Sequence, residues 1–219
     1  MDYKTAQRHL ETSRLMGVDF LPISPMGAAT IDDKQTRLDQ LCITHELTCP
    51  HCTTATGYTQ IVFGTGNPDA SLMFIGEAPG MEEDVQGVPF VGAAGRKLDQ
   101  IIQAMELKRE DVYIANTLKS RPPNNRTPLP SEIADCGPFL KKQIQIIEPK
   151  VIVTLGSPAT KYILDSEVGI TKLRGSWATY KGIPVMPTYH PAYLLRNYTT
   201  QTRNQVWSDM QKVILLLFK

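Results

Sequence analysis

Two sets of residues in this sequence have the types and the spacing that chemistry requires, and the first is a pair of cysteines. Cys49 and Cys52 form a Cys-x-x-Cys motif, a spacing at which two thiolates can chelate one metal ion or cluster. Zinc sites, redox dithiols and iron–sulfur clusters all begin in this way, so the motif alone leaves the metal open. The chain has four cysteines, and its 219 residues can bury a core without a disulfide framework, which leaves the thiols available for such chemistry.

The second set consists of polar side chains that directly follow short apolar runs. Glu77, Asn116 and His190 each stand at the end of such a run. A carboxylate can position water or stabilise a cation, an amide offers both a donor and an acceptor, and an imidazole can donate to an oxygen that gains negative charge. Gathered at one place, these three groups would bind a polar ring and assist the breaking of a bond.

The elements that must position these residues are predicted by hydrophobic periodicity. Short apolar runs predict strands, and longer amphipathic stretches between and after them predict helices. The strands are Leu72 to Ile75, Val112 to Ile114, Val151 to Leu155 and the residues around Val185; the helices lie near 94–105, 131–147, 158–164 and 204–218. Fully apolar strands that alternate with helices predict an α/β fold with three α/β/α layers and a central, mainly parallel, four-stranded sheet. Its carboxyl edge would bring Glu77, Asn116 and His190 together.

The first part of the chain differs from this pattern. Residues 1–47 contain two stretches with helical spacing, separated by a connector at 21–27 that two prolines keep out of a helix. We therefore predict an N-terminal helical extension over residues 1–35 and one α/β domain over residues 36–219.

Charge and hydropathy limit the partners and the compartment. Lys and Arg outnumber Asp and Glu by 23 to 22, so the net charge of +1 creates no global field that would gather nucleic acid or an anionic membrane. A polyanionic partner must be held by local charges. The longest apolar run, at 213–218, is too short to span a bilayer, and charged residues interrupt the first twenty positions. We expect a cytoplasmic monomer without membrane contact.

Several motifs stand in a fixed order along the chain. They are Gly76-Glu77-Ala78-Pro79-Gly80, Pro89-Phe90-Val91-Gly92, Tyr113-Ile114-Ala115-Asn116, Arg121-Pro122-Pro123 and His190-Pro191-Ala192-Tyr193. Together they resemble the family 4 uracil-DNA glycosylases over roughly residues 49–218. The resemblance implies a DNA repair enzyme that hydrolyses the N-glycosidic bond of uracil in DNA and leaves an abasic site.

The resemblance also implies which residues hold the base. Phe90 would stack on uracil, and the amide of Asn116 would bind its Watson–Crick edge. His190 would donate to the uracil O2, where negative charge accumulates when the base leaves. Gly76 and Ala78 would line the same pocket. From residue type alone, Phe90 as a core aromatic, Asn116 as a loop cap and His190 as a structural histidine remain the alternatives.

Two carboxylates are the candidates for the catalytic role. Better-known glycosylases have the loop G-Q-D-P-Y, and Ala78 stands where their water-activating Asp would be. We therefore assign Glu77 to electrostatic stabilisation and to the positioning of water. Glu83 would be a second polar group at the mouth of the pocket, where it would help to exclude a 5-methyl group. The alternative for Glu83 and Asp84 is a solvated turn.

DNA contacts are expected along the same edge of the sheet. The basic residues predicted to line it are Lys119, Arg121, Arg126, Lys172, Arg174 and Arg196. The residues Tyr193, Leu194 and Leu195 would form an apolar wedge that fills the gap left by the extruded nucleotide, although they are also consistent with the core-facing start of a helix. The expected partner is uracil-containing DNA, single- or double-stranded.

For the cysteines, the resemblance implies a structural [4Fe-4S] cluster. Cys49, Cys52 and Cys136 match three of the four positions that hold it, and Ser120, sixteen residues before Cys136, stands where the fourth cysteine is expected. Ser120 as an oxygen ligand, Cys42 as a replacement, a three-cysteine cluster, a zinc ion and no metal remain open. A buried core position is the other interpretation of Cys42.

Two other functions remain possible from the sequence. One is a glycosylase of the same fold that removes another deaminated base, and the other is a non-catalytic protein that binds uracil-containing DNA. Some relatives hold their product covalently through a basic insertion that ends in His after the middle motif. Here residues 121–126 run directly into Thr127-Pro128, which argues against covalent capture.

Overall fold

The computed structural model of the protein describes residues 33–219. Residues 1–32, which include the first predicted helical stretch and the proline-containing connector, lie outside the described residues. The second predicted helical stretch forms helix α1 (Lys34–Thr48). Asp33 caps it, because its Oδ1 accepts a hydrogen bond from the backbone N–H of Thr36 at 2.7 Å. The division of the chain after residue 35 stays a prediction.

The described residues form one six-stranded sheet. Its strands are β1 (Thr65–Gly66), β2 (Leu72–Gly76), β3 (Tyr113–Asn116), β4 (Val151–Leu155), β5 (Ala178–Tyr180) and β6 (Ile183–Thr188). Their order is β1-β3-β2-β4-β6-β5. Strands β3, β2, β4 and β6 are parallel, whereas β1 pairs antiparallel with β3 and β5 pairs antiparallel with β6.

The four predicted strands are confirmed, but the prediction of a four-stranded sheet is wrong in number. The two additional strands lie at the edges and contain two and three residues. Neither edge strand is fully buried. Neither therefore has the continuous apolar sequence that predicted the central strands.

Seven further α-helices follow α1 among the described residues. They are α2 (Met81–Gln86), α3 (Ala93–Ala104), α4 (Pro130–Ile147), α5 (Ser157–Leu164), α6 (Ile170–Leu173), α7 (Pro191–Arg196) and α8 (Thr200–Leu217). The four predicted helices correspond to α3, α4, α5 and α8. The sequence analysis missed α2, α6 and α7, because helices of four to six residues are too short to show a helical period.

The three-layer arrangement is confirmed by the two sides of the sheet. Successive residues of a strand point to opposite faces. Met73 and Ile75 of β2 pack in one apolar cluster with Leu140 of α4. Phe74 packs in the other cluster, which contains Leu98 of α3 as well as Val206 of α8. Helices therefore cover both faces, and this explains why β2, β3 and β4 are buried at every position.

The topology creates a crevice at the carboxyl edge of the sheet. The chain leaves β2 for its neighbour β3 on one side and then returns to β4 on the other side. Open α/β sheets bind ligands where the strand order reverses in this way. Gly76 at the end of β2 lies directly opposite Asn116 at the end of β3, so the loops that follow these two strands begin side by side.

A buried ion pair joins α8 to the sheet. Asp209 of α8 is fully buried and accepts hydrogen bonds from Arg174 Nε at 3.1 Å and from the Thr188 hydroxyl at 2.7 Å. Arg174 also donates to the carbonyl oxygen of Gln205 at 2.6 Å. The prediction that Arg174 belongs to a DNA-facing set is therefore wrong, since its guanidinium is committed to these buried partners. No helix among residues 33–219 is long and apolar enough to cross a membrane.

We expect Asp209→Ala to destabilise the fold by about 3–5 kcal/mol, because it leaves the Arg174 guanidinium buried without its counter-charge. The control is Glu167→Ala, since Glu167 forms an exposed ion pair with Lys161 and such a pair contributes less than about 1 kcal/mol. The measurement is urea unfolding of both variants followed by circular dichroism. Equal losses of stability in the two variants would contradict this account.

Candidate functional site

A cavity of about 460 Å³ opens at the carboxyl edge of the sheet. Residues from separate loops line it, among them Glu77, Ala78, Phe90, Asn116, His190 and Arg196. An adjoining cavity of about 370 Å³ shares Glu77, His190 and Arg196 and extends to Ser157 and Tyr193. The structure thus brings the predicted base-binding residues to one concave surface, at the strand ends where the topology favours a ligand.

Gly76 allows an amide and an aromatic ring to approach each other across the strand ends. A Cβ atom added at Gly76 would overlap Oδ1 of Asn116 and lie 2.6 Å from Cζ of Phe90. No side chain fits there without moving one of the two groups. Gly76 therefore contributes to the site through the space that it leaves free.

Phe90 has a backbone conformation that is rare for an aromatic residue. Its φ is 53°, in the left-handed region, which costs roughly 1 kcal/mol or more and persists where the surroundings enforce it. Its ring is 5% exposed, and the ring centroid lies 5.6 Å from that of His190, with 33° between the planes. Backbone strain of this kind is concentrated at functional sites.

The carboxylate of Glu83 holds the loop that carries Phe90. Its Oε1 accepts hydrogen bonds from the backbone N–H groups of Val91 and Gly92, both at 2.9 Å, and its Oε2 accepts one from Gly80 at 3.1 Å. Glu83 also lines the cavity, but these contacts are those of a positioning residue. The alternative of a solvated turn is wrong, because Glu83 is 9% and Asp84 only 2% exposed.

The amide of Asn116 is buried and incompletely hydrogen-bonded. The residue is 1% exposed, and its Oδ1 has no hydrogen-bond partner among residues 33–219. Buried polar atoms without a partner are uncommon in native proteins, because desolvation without a hydrogen bond costs roughly 1–3 kcal/mol. Because Asn116 also lines the cavity, a molecule bound there could supply the missing donor.

The imidazole of His190 is neutral and has a defined tautomer. His190 precedes α7, and its Nδ1 accepts a hydrogen bond from the backbone N–H of Ala192 at 3.1 Å. A neutral ring that accepts at Nδ1 carries its proton on Nε2. Burial lowers the pKa of His190 to about 4, and the positive charge of Arg196 adds to this effect. At neutral pH the ring therefore offers one uncharged N–H donor.

Glu77 is the half-buried carboxylate of the cavity. It directly follows β2, so the sheet fixes the position of its backbone. Burial raises its pKa above the ordinary value, and the Thr127 hydroxyl lowers it by a smaller amount. Ala78, next to it, supplies no carboxylate, so Glu77 is the acidic group at the start of this loop.

The prediction that Lys119 contacts DNA is wrong. Its side chain is fully buried, and its ammonium group donates to the carbonyl oxygen of Asn116 at 2.8 Å and to Oε1 of Gln143 at 2.5 Å. Burial lowers the pKa of Lys119 to about 8. Lys119 therefore supports the residue that would bind the base and does not reach a DNA backbone.

The remaining predicted DNA contacts lie nearer to solvent. Arg196 is exposed at the rim of the cavity, and Lys172 is exposed on α6. Arg126 lines the cavity while it donates to both carboxylate oxygens of Glu132, at 2.8 and 2.6 Å. Arg121 donates to Oδ1 of Asn125 at 2.6 Å. For these four basic residues, contact with phosphate groups stays a prediction.

The predicted wedge needs one correction. Leu194 is 4% exposed and belongs to the apolar cluster that contains Leu98 of α3. Leu195 is 44% exposed. Tyr193 is half-buried, with its ring 4.6 Å from that of Tyr189. The exposed apolar residue next to Tyr193 is therefore Leu195, and the assignment of Leu194 to DNA is wrong.

A second constellation lies on the far side of Lys119, among buried cysteines. Cys49, Cys52 and Cys136 lie together with His45, and the four ligand atoms are within 4.8 Å of one another. Sγ of Cys52 is 3.8 Å from Sγ of Cys136, which in turn is 3.4 Å from Nε2 of His45. We call these four residues the Cys3His group. Their donor atoms could hold a metal.

The sequence analysis missed His45. It lies in the last turn of α1, four residues before Cys49, a separation that places two side chains on the same side of a helix. Cys42, by contrast, lies outside the Cys3His group. It is half-buried, and burial raises the pKa of its thiol to about 11.

Ser120 borders the Cys3His group. Its hydroxyl oxygen lies 3.5 Å from Sγ of Cys52 and 3.1 Å from Nε2 of His51. The residue before Ser120 also contacts the group, because the backbone N–H of Lys119 donates to Sγ of Cys136 at 3.2 Å. The loop after β3 therefore contacts both constellations.

Comparison with known proteins identifies the family. Residues 63–211 match the model of the uracil DNA glycosylase superfamily. The chain belongs to this superfamily. This confirms the resemblance found in the motifs.

Three curated relatives in the superfamily are named Type-4 uracil-DNA glycosylases. The protein of Thermotoga maritima is 48% identical over 166 residues, which are 75% of this chain and 86% of the relative. That of Sulfurisphaera tokodaii is 46% identical over 177 residues, 76% of this chain and 79% of the relative. That of Archaeoglobus fulgidus is 42% identical over 177 residues, 76% of this chain and 87% of the relative.

The superfamily match does not cover both constellations equally. Residues 63–211 include the residues that line the cavity and also Ser120 and Cys136. His45, Cys49 and Cys52 precede this span. The superfamily match therefore contains the residues that line the cavity but only one residue of the Cys3His group, Cys136.

Proposed function

We propose that this protein is a DNA repair glycosylase that hydrolyses the N-glycosidic bond of uracil in DNA and leaves an abasic site. The observation that carries the proposal is the unpartnered, buried Oδ1 of Asn116 in a cavity shared with Phe90 and His190. The identity to proteins named Type-4 uracil-DNA glycosylases supports it over three quarters of the chain.

Uracil fits the hydrogen-bonding pattern of the cavity. Its N3–H would donate to Oδ1 of Asn116, its O4 would accept from the amide nitrogen, and its ring would stack on Phe90. Cytosine has no hydrogen on N3 and would leave Oδ1 buried without a donor. A site built to bind such a hydrogen discriminates strongly against an analogue that lacks it.

The neutral His190 and the carboxylate of Glu77 would act on the two charges that develop in the transition state. Negative charge moves onto the uracil O2. The Nε2–H group of His190 would donate a hydrogen bond to this oxygen, and the neutral ring already carries the required proton. Positive charge develops on the sugar, where Glu77 would stabilise it and position the attacking water. Glu83 would act through Phe90, whose loop it holds.

The base must leave the helical stack before it reaches this cavity. Extrusion costs a few kcal/mol in a duplex and less in a single strand or at a mismatch. Tyr193 and Leu195 would occupy the gap, and the exposed Arg196 would contact a phosphate group. These contacts are local, as the net charge of +1 requires.

We further propose that the Cys3His group holds a [4Fe-4S] cluster with a structural role. Three buried thiols and a buried imidazole fit the donor preferences of such a centre. When bound, the cluster would tie α1 and the Cys49 to Cys52 turn to α4. A zinc ion is the second candidate, because the 3.8 Å between two of the sulfur atoms equals the edge of a tetrahedron with metal–sulfur bonds of about 2.3 Å.

We expect Asn116→Ala to lower kcat/KM for uracil excision by roughly 10²–10⁴-fold, because it removes the groups that bind the edge of the base. His190→Ala should slow excision roughly 10²–10³-fold and retain DNA binding. The assay is alkaline cleavage of a single strand that contains one uracil, resolved on a denaturing gel.

The matched control for this assay is Asn204→Ala, at an exposed position of α8 that does not line either cavity. It should retain wild-type turnover. An intact strand that shifts in a native gel would favour a non-catalytic binder. Excision from a hypoxanthine strand in place of a uracil strand would favour a glycosylase for another base.

The rate of excision should fall as the pH is lowered through the pKa of Glu77. Burial raises that pKa above 4.5, and the carboxylate is active only when it is charged, so the acidic limb should lie above the range of an ordinary Glu. Because the pKa of His190 is lowered to about 4, this ring should add no step near neutrality. Single-turnover rates between about pH 4.5 and pH 8 measure this limb. Its persistence in Glu77→Gln would show that another group titrates.

We expect the purified protein to contain about four iron atoms per chain and to absorb at about 400 nm. Cys136→Ala should lose both signals, since Cys136 lies within the Cys3His group. Cys42→Ala is the matched control and should keep them, because Cys42 lies outside the group. One zinc per chain without iron would favour the second candidate. Equal metal loss in both variants would contradict the assigned ligands.

A further inference from the structure

We infer that Nε2 of His45 is the fourth ligand of the metal centre, in place of the side chain at position 120. The inference rests on the proposed metal centre and is independent of uracil excision. It is carried by the burial of His45, by the contacts of its two ring nitrogens and by the contacts of the Ser120 hydroxyl.

His45 is not explained as an ordinary core residue. It is 0% exposed, and its Nδ1 has no hydrogen-bond partner among residues 33–219. Its Nε2 contacts Sγ of Cys136 at 3.4 Å, and sulfur is a weak hydrogen-bonding partner. Burial of an imidazole with so few hydrogen bonds costs free energy of folding. A coordinate bond from Nε2 to a metal would replace this weak sulfur contact with a strong one and would place the ring proton on Nδ1.

The imidazole is held in place at the Cys3His group. The backbone N–H of Cys49 donates to the carbonyl oxygen of His45 at 2.9 Å, which fixes the two residues one helical turn apart. The ring packs edge-on against Phe139, with centroids 4.7 Å apart and planes at 89°. It also contacts the ring of Phe63 at a centroid distance of 5.7 Å. The ligand would therefore be positioned before metal binds.

The Ser120 hydroxyl has other partners. It lies 3.1 Å from Nε2 of His51, whose Nδ1 is 4.0 Å from a carboxylate oxygen of Glu132. A neutral hydroxyl is a weaker ligand for iron or zinc than an imidazole nitrogen. At 3.5 Å from Sγ of Cys52, it is placed to form a hydrogen bond to a ligating sulfur, one of the contacts that tune such a centre.

Three ligands would then come from one short segment, His45 to Cys52, and the fourth from α4. This arrangement differs from the one that the sequence motifs imply, in which two ligands come from the middle of the chain. The fourth ligand would move from the loop after β3 to the last turn of α1.

The test compares metal binding in matched variants of the full chain, reconstituted with iron and sulfide without oxygen and, separately, with zinc. We expect His45→Ala to weaken metal binding, measured by chelator competition, by more than about 100-fold. Ser120→Ala should weaken it by less than about 100-fold, the range found when a group next to a ligand is removed. The double variant H45A/S120C should recover most of the affinity, since it restores four protein ligands.

A spectroscopic measurement addresses the wild-type protein directly. For the reduced iron–sulfur form, pulsed electron paramagnetic resonance should detect a strongly coupled nitrogen that disappears in His45→Cys and persists in Ser120→Ala. This readout keeps the inference testable if His45→Ala fails to fold, which circular dichroism would reveal.

Several outcomes would overturn the inference. They are wild-type metal affinity in His45→Ala, greater metal loss in Ser120→Ala than in His45→Ala, absence of the nitrogen coupling, and absence of both iron and zinc from the reconstituted wild type. Uracil excision by the same wild-type preparation is scored separately, so a failure of the glycosylase proposal leaves the assignment of the ligand standing.

Discussion

The buried ammonium group of Lys119 joins the two functional parts of this protein. This ammonium group donates to the carbonyl oxygen of Asn116 at 2.8 Å. The backbone N–H of Lys119 donates to Sγ of Cys136 at 3.2 Å. A buried charge needs compensation, and burial alone lowers the pKa of Lys119, whereas the nearby thiols raise it. Thiolates at the Cys3His group would keep the lysine charged and the carbonyl oxygen of Asn116 in place. A metal held by those thiolates and the amide of Asn116 would therefore stabilise each other.

Contacts within the protein position the side chains that line the cavity. Phe90 keeps a left-handed backbone because Glu83 binds the two N–H groups that follow it, and Gly76 lets the ring approach the amide of Asn116. The hydrogen bonds that Glu83 accepts offset the free-energy cost of the strained backbone at Phe90. Preorganised groups contribute more to a transition state than groups that must move during the reaction.

The sequence predicted what hydrophobic periodicity and strand ends determine. The four parallel strands are continuous apolar runs, and their carboxyl ends had to bring Glu77, Asn116 and His190 to one edge. The features that could not be predicted depend on partners distant in the chain or on the orientation of a short helix about its own axis. The buried ammonium group of Lys119 donates a hydrogen bond to Gln143, 24 residues later. Leu194 lies in the core and Leu195 is exposed, because adjacent residues of the six-residue helix α7 point in different directions. His45 was within reach of sequence reasoning, since its separation of four residues from Cys49 is a helical turn.

The position of the fourth ligand would decide how strongly a bound metal is coupled to the residues that line the cavity. A ligand at position 120 would anchor the loop after β3 directly to the metal, four residues from Asn116. With His45 in that role, the loop is held by hydrogen bonds, from Lys119 N–H to one sulfur and from the Ser120 hydroxyl toward another. Hydrogen bonds of this kind are each worth roughly 1 kcal/mol. A bound metal would then stabilise the scaffold around α1 and α4, and the loop after β3 would depend on it mainly through the buried charge of Lys119.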